Sequence, residues 1–179
     1  LVRISGKNLG TLAQPDCCPA CYWYRLKLGF STPWSFFPGI FSSFDIYTKR
    51  IVHGCFDKTN EPPPWLAELG IVGYIEPPHF SRFNLTDERH GVLLTWAPDA
   101  VFVREDGSYL IGDYKTAKFT EAQDALLPTY QVQLNAYARI AEACGLSPVT
   151  GLALIYLEPQ TDDKAGIHDR CQDYGFDIA

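Results

Sequence analysis

The sequence predicts an α/β domain of the α+β kind, a central mixed β-sheet flanked by helices, and three stretches carry that prediction. Residues 100–104 and 110–115 are short apolar strands separated by Glu105-Asp106-Gly107. That spacing fits a three-residue hairpin loop with Gly107 in the left-handed conformation that its missing Cβ permits. Residues 129–144 combine helix formers with helical periodicity and stop at Gly145. Residues 149–157 are nearly all apolar and read as a strand buried on both faces.

The other elements follow in chain order. Residues 1–12, with Gly6, Asn8 and Gly10, read as an irregular lead-in. Asp16 can cap a helix over 17–28 that Gly29 ends. Residues 30–40 form a connection punctuated by Pro and Gly. Ser42 or Ser43 can cap a second helix, 44–57, on which Asp45, Lys49 and His53 recur every four residues and make one polar stripe. A proline-rich link leads to a helical turn at 64–69. A short strand is expected at 71–75, a mobile loop after it, and the first main strand at 92–96. Residues 116–124 leave the hairpin as a loop with a short helical piece, and from 158 the chain becomes a polar tail.

With 179 residues the chain is expected to form one domain. Its formal net charge of −6 argues against an extended basic footprint for nucleic acid, so any phosphate-binding groove must be local. Lys115 with Lys118, or the pair Lys49-Arg50, are the candidates. No apolar run approaches the roughly 20 residues of a spanning helix, and no leader pattern is present, so a soluble, cytoplasmic protein without membrane contact is expected.

Chemistry concentrates around the hairpin. Strand alternation sends Ile111, Asp113 and Lys115 to one face and Leu110, Gly112 and Tyr114 to the other. A three-residue loop pairs Arg104 with Ser108, and counting back sets Asp99 opposite Asp113, with Cβ atoms about 4.5–5.5 Å apart. Two like charges so placed destabilise a sheet unless a cation lies between them. A two-residue Asp106-Gly107 turn would slip the register by one and send the aspartates to opposite faces. On the following helix Gln133 and Tyr137 are i and i+4 and project together.

Pro98-Asp99, Asp113-Tyr114-Lys115 and Gln133-Leu-Asn-Ala-Tyr137, in that order, resemble the PD-(D/E)XK nuclease superfamily, specifically its RecB-type branch, which includes CRISPR-associated exonucleases. The likeness covers roughly residues 41–157. It implies a restriction-endonuclease-like core, preceded by an N-terminal helical segment with cysteines (1–40) and followed by the tail (158–179). It also implies a metal-dependent deoxyribonuclease, an exonuclease acting on single-stranded DNA or duplex ends, alone or with repair, phage or CRISPR proteins. Mg²⁺ or Mn²⁺ would be held by Asp99, Asp113 and the Tyr114 carbonyl. An acidic group or histidine on the preceding helix would complete the set, with Asp45 preferred and His53 the rival. Lys115 would orient water or stabilise the transition state, and Gln133 and Tyr137 would contact DNA or position the lysine.

Some relatives in that superfamily carry an iron-sulfur cluster. Here a cluster or zinc site would use Cys17, Cys18, Cys21 and Cys171, a set that departs from the usual arrangement. Apolar packing of the thiols is the favoured reading. The alternative function is a non-catalytic nucleic-acid-binding or assembly module that keeps the fold.

Overall fold

A computed structural model describes residues 1–28, 39–77, 79, 81–95, 98–116, 125–159 and 176–177. Its central hairpin joins β5 (Ala100–Arg104) to β6 (Tyr109–Lys115). Gly107 takes φ +77°, a conformation that a Cβ disfavours. Asp106 Oδ1 accepts the Ser108 N–H at 2.9 Å, and the Arg104 N–H donates to the Ser108 carbonyl at 2.9 Å. The three-residue loop therefore forms, and it fixes the register: Val101 pairs with Ile111 and Ala100 with Gly112. Continued by one step, that register brings Asp99 level with Asp113.

Around the hairpin lies a four-stranded mixed sheet. β2 (Ile71–Ile75) pairs antiparallel with β5, and β7 (Val149–Tyr156) pairs parallel with β6, giving the order β2-β5-β6-β7. The parallel pair requires a crossover, which helix α4 (Leu127–Ala143) supplies. Each sheet face buries a separate apolar cluster. On one side Phe102 and Leu110 pack with Val52 and Phe56 of helix α3 (Gly39–Thr59) and with Leu66 of the 3₁₀ turn Pro64–Leu69. On the other side Val101 and Ile111 pack with Leu134, Tyr137 and Ile140 of α4. The two helices thus cover opposite faces of one sheet, as period-two alternation in the strands demands.

A second mixed sheet, order β1-β4-β3, joins β1 (Val2–Ser5), β4 (Val92–Thr95) and β3 (Asn84–Asp87). β1 runs parallel to β4, and β3 antiparallel to it. Ser5 then caps the short helix α1 (Gly6–Gly10), its Oγ accepting the Asn8 N–H at 3.2 Å. α1 lies directly on α4. A Cβ on Gly6 would come within 2.5 Å of Tyr137 Cε1, and one on Gly10 within 2.4 Å of the Thr129 carbonyl oxygen. Two glycines one helical turn apart are therefore what allow the helices to approach this closely.

The structure corrects several expectations. Residues 2–10 are a strand and a helix, not an irregular lead-in. The strand at 92–95 belongs to the second sheet, and the four residues of β3 interrupt the loop expected after β2. β7 is an edge strand with Leu152 39% exposed, not a strand buried on both faces. Helix α2 (Pro19–Leu28) buries none of its residues, leaving Trp23 and Tyr24 exposed. The connection at 29–38 and the loop at 117–124, with Lys118, lie outside the described residues. So does the tail, apart from a two-residue ribbon of β8 (Glu158–Pro159) and β9 (Phe176–Asp177). Among the described residues no helix is long and apolar enough to cross a membrane.

Candidate functional site

Asp113 projects from β6 toward α4 and is 4% exposed. Its Oδ1 accepts a hydrogen bond from Gln133 Nε2 at 2.9 Å, and the same amide donates to the Tyr137 hydroxyl at 3.0 Å. Oδ2 has no hydrogen-bond partner among the described residues. It rests against the Lys115 ammonium at 2.5 Å, an ion pair rather than an aligned hydrogen bond. Lys115 Nζ also lies 4.4 Å from the centre of the Tyr130 ring, within cation–π range.

Asp99 stands just before β5. Its Oδ2 accepts the backbone N–H of Tyr114 at 2.9 Å, which anchors it to the strand that carries Asp113. Its Oδ1 is 3.4 Å from Lys49 Nζ, and Lys49 in turn pairs with Asp45 Oδ2 at 2.9 Å, one turn away on α3. Helix α3 thus contributes a carboxylate and an ammonium to the group.

Burial and the nearby charge of Asp113 push the Asp99 carboxyl up to about 6, against the opposing pull of Lys49. Burial works against a charged Lys49, but the Asp45 hydrogen bond and the field of Asp99 outweigh it and raise its pKa. Burial, then the neighbouring aspartates, raise the Tyr114 and Tyr137 hydroxyls well above the ordinary tyrosine range. Both therefore remain neutral phenols at physiological pH.

These groups meet in one cleft of about 960 Å³. Asp45, Asp99, Asp113 and Lys115 line it, together with Tyr114, Gln133 and Tyr137, so all but one of the residues singled out around the metal converge. The exception is His53, which stacks on Tyr74 with ring centres 3.9 Å apart and pairs with Glu76 at 3.1 Å. Gln133 and Tyr137 are each 4% exposed, and the hydrogen bonds described above tie them to Asp113 and to each other.

Sequence reasoning missed two cations and gave a third, Lys49, another role. Lys49 is half-buried and braces Asp45 and Asp99, and Arg3 and Lys7 line the cleft from the N-terminal segment. The signal for the last two lay in the glycine pair beside Lys7, which marks a close helix contact.

Asp113 is buried and Asp99 partly buried, the two level on adjacent strands, and carboxylate oxygens are the donors that a hard divalent cation takes. Among the described residues no three His, Cys, Asp or Glu side chains are gathered closely enough to ligate one ion. Lys49 lies between Asp45 and Asp99 and supplies positive charge there.

Among the described residues the cysteines form no such centre either. Cys18, just before α2, and Cys21, within it, are exposed, contrary to the expected apolar packing, and Cys171 lies outside the described residues. The Cys21 N–H donates to Cys18 Sγ at 3.4 Å, and this bond lowers the Cys18 pKa.

Comparison with protein-family models finds no match, and no curated protein matches the sequence.

Proposed function

We propose that this chain is a divalent-metal-dependent nuclease that hydrolyses phosphodiester bonds, a DNA exonuclease of RecB type with a restriction-endonuclease-like core. The observation that carries the reading is the meeting of Asp99, Asp113 and Lys115 in a single cleft, two acids and an amine delivered by adjacent strands. Phosphodiester hydrolysis needs a nucleophile made from water and a counter to the negative charge that develops on the phosphoryl oxygens. When bound, Mg²⁺ or Mn²⁺ supplies Lewis acidity for both purposes.

Asp99 and Asp113, with the Tyr114 carbonyl, would hold the ion through hard oxygen donors, and Asp45, paired with Lys49, would join them only on leaving that ion pair. Gln133 fixes Asp113 by engaging Oδ1, which leaves Oδ2 directed at Lys115. The Lys115 ammonium, backed by the Tyr130 ring, orients water and offsets charge on the transferring phosphoryl group. Tyr137, neutral and bonded to Gln133, acts as a brace and not as a base.

The test is incubation of wild type and Asp113→Asn with end-labelled linear and circular DNA, in Mg²⁺, Mn²⁺ or chelator. Metal-dependent loss of linear substrate by wild type, reduced at least about 100-fold in the variant, supports the reading. Absence of cleavage with either metal refutes it.

One observation favours a second reading. Lys49 and Lys115 already neutralise much of the carboxylate charge from within the protein. A non-catalytic nucleic-acid-binding or assembly module would keep such internal ion pairs, and calorimetric titration with Mn²⁺ would then register no uptake.

A further inference from the structure

The cleft is lined by a basic wall as well as by its carboxylates. Arg3 on β1 and Lys7 on α1 line it, and with Lys115 they set three cations against Asp45, Asp99 and Asp113. Arg3 and Lys7 are exposed, and neither pairs with an acidic side chain among the described residues. Every other described contact of the segment that carries them is firm. β1 is zipped to β4 from Val2 to Ser5, Ser5 caps α1, and Gly6 and Gly10 hold α1 against Tyr137 and Thr129 of α4. Tyr137 is bonded to Gln133, and Gln133 to Asp113, so the segment that carries the wall is linked through packing and hydrogen bonds to Asp113.

In a chain of net charge −6, two cations without an acidic partner among the described residues, fixed at the rim of a large cleft, are placed for an anion. We infer that Arg3 and Lys7 bind the backbone phosphates of a single DNA strand, next to the phosphate that lies at Asp99 and Asp113. This deepens the nuclease reading and rests on it for the position of the scissile bond. The cleft, about 960 Å³, has room for a short length of one strand. Tyr130 on the same lining offers a ring for base stacking. Of the groove cations expected from sequence, Lys115 lines the cleft, Lys49 is spent on internal ion pairs, Arg50 does not line the cleft, and Lys118 lies outside the described residues.

The experiment measures binding of a fluorescein-labelled single-stranded oligonucleotide in chelator across a salt series. It compares wild type, the double variant Arg3→Gln/Lys7→Gln, and Arg50→Gln as an exposed charge change outside the cleft. Each phosphate contact contributes about 0.7 to the slope of log affinity against log salt. The double variant should lose about 1.4 from that slope, while Arg50→Gln keeps the wild-type value. Circular dichroism checks that the variants fold.

An unchanged slope in the double variant, an equal loss in Arg50→Gln, or no binding by wild type overturns the inference. Cleavage is scored separately. A slope that falls as stated in a protein that cuts nothing leaves the wall standing and removes the nuclease. Metal-dependent cutting with an unchanged slope does the reverse.

Discussion

Asp99 Oδ2 takes the backbone N–H of Tyr114 at 2.9 Å, so the acid that precedes β5 is fastened to the strand bearing Asp113 by its own side chain. Two carboxylates then share a partly dry patch, and Asp99 holds its proton up to about pH 6. An unfolded aspartate releases its proton near pH 4. Between those values the folded chain binds the extra proton, and its stability must fall as pH rises. Metal-free protein should accordingly lose on the order of 2 kcal/mol between pH 4.5 and 7 from this group. Thermal unfolding in chelator should show that decline, and Asp99→Asn should flatten it. A midpoint that climbs steadily across the same range in wild type would contradict the buried, facing arrangement.

Gln133 has two acceptors to satisfy, Asp113 Oδ1 and the Tyr137 hydroxyl. Gln133→Ala leaves both buried without the amide and should cost about 1–3 kcal/mol of stability. Because the same change frees Asp113 to rotate, Mn²⁺ affinity measured by calorimetry should drop alongside the melting temperature. A stable variant with full affinity would show that the amide is dispensable.

The glycines of α1 and α3 should respond in opposite directions to alanine. Gly10→Ala pushes a methyl into the Thr129 carbonyl, and Gly6→Ala pushes one into the Tyr137 ring, so each should destabilise by about 1–3 kcal/mol. Gly54 lies within α3 with nothing within 4 Å of its added Cβ, and alanine there should stabilise by about 0.5–1 kcal/mol. Denaturant melts of the three variants make the comparison directly.

The two lysines at the site should separate by phenotype. Lys115→Ala should slow metal-dependent cleavage by about 10²- to 10³-fold, as expected for loss of a group that offsets transition-state charge. Lys49→Met removes the cation between Asp45 and Asp99 and should lower metal-free stability by about 1–3 kcal/mol. Saturating Mn²⁺ should then raise the melting temperature of Lys49→Met more than that of wild type. Equal shifts in the two proteins would mean that the ammonium and the ion do not serve the same carboxylates.

The acid pair could be read from the chain because its geometry is local. Asp106-Gly107 dictates the loop, the loop dictates the register, and alternation does the rest. The 3₁₀ turn at Pro64–Leu69 and the helix carrying Gln133 were legible for the same reason, since proline and glycine mark their ends.

What escaped was set by distant partners. A five-residue helix containing two glycines has no propensity of its own, and α1 exists because α4 accepts it. The apolar alternation of Val92–Thr95 identifies a strand but not the sheet that recruits it. An apolar run such as 149–156 looks fully buried in sequence, although at the sheet edge one side is left open.

The pairing of Val2 with Val92, and of α1 with residues of α4 further on, has a consequence for how the molecule assembles. Short-range contacts close first, because the entropy of joining distant parts of a chain grows with the length between them. The hairpin can therefore mature early, whereas the opening strand, though first to be synthesised, waits for partners made much later. A chain stalled before α4 could pair β1 with β4 but would leave α1 without its seat, so Lys7 takes its place at the cleft only with completion of the helix.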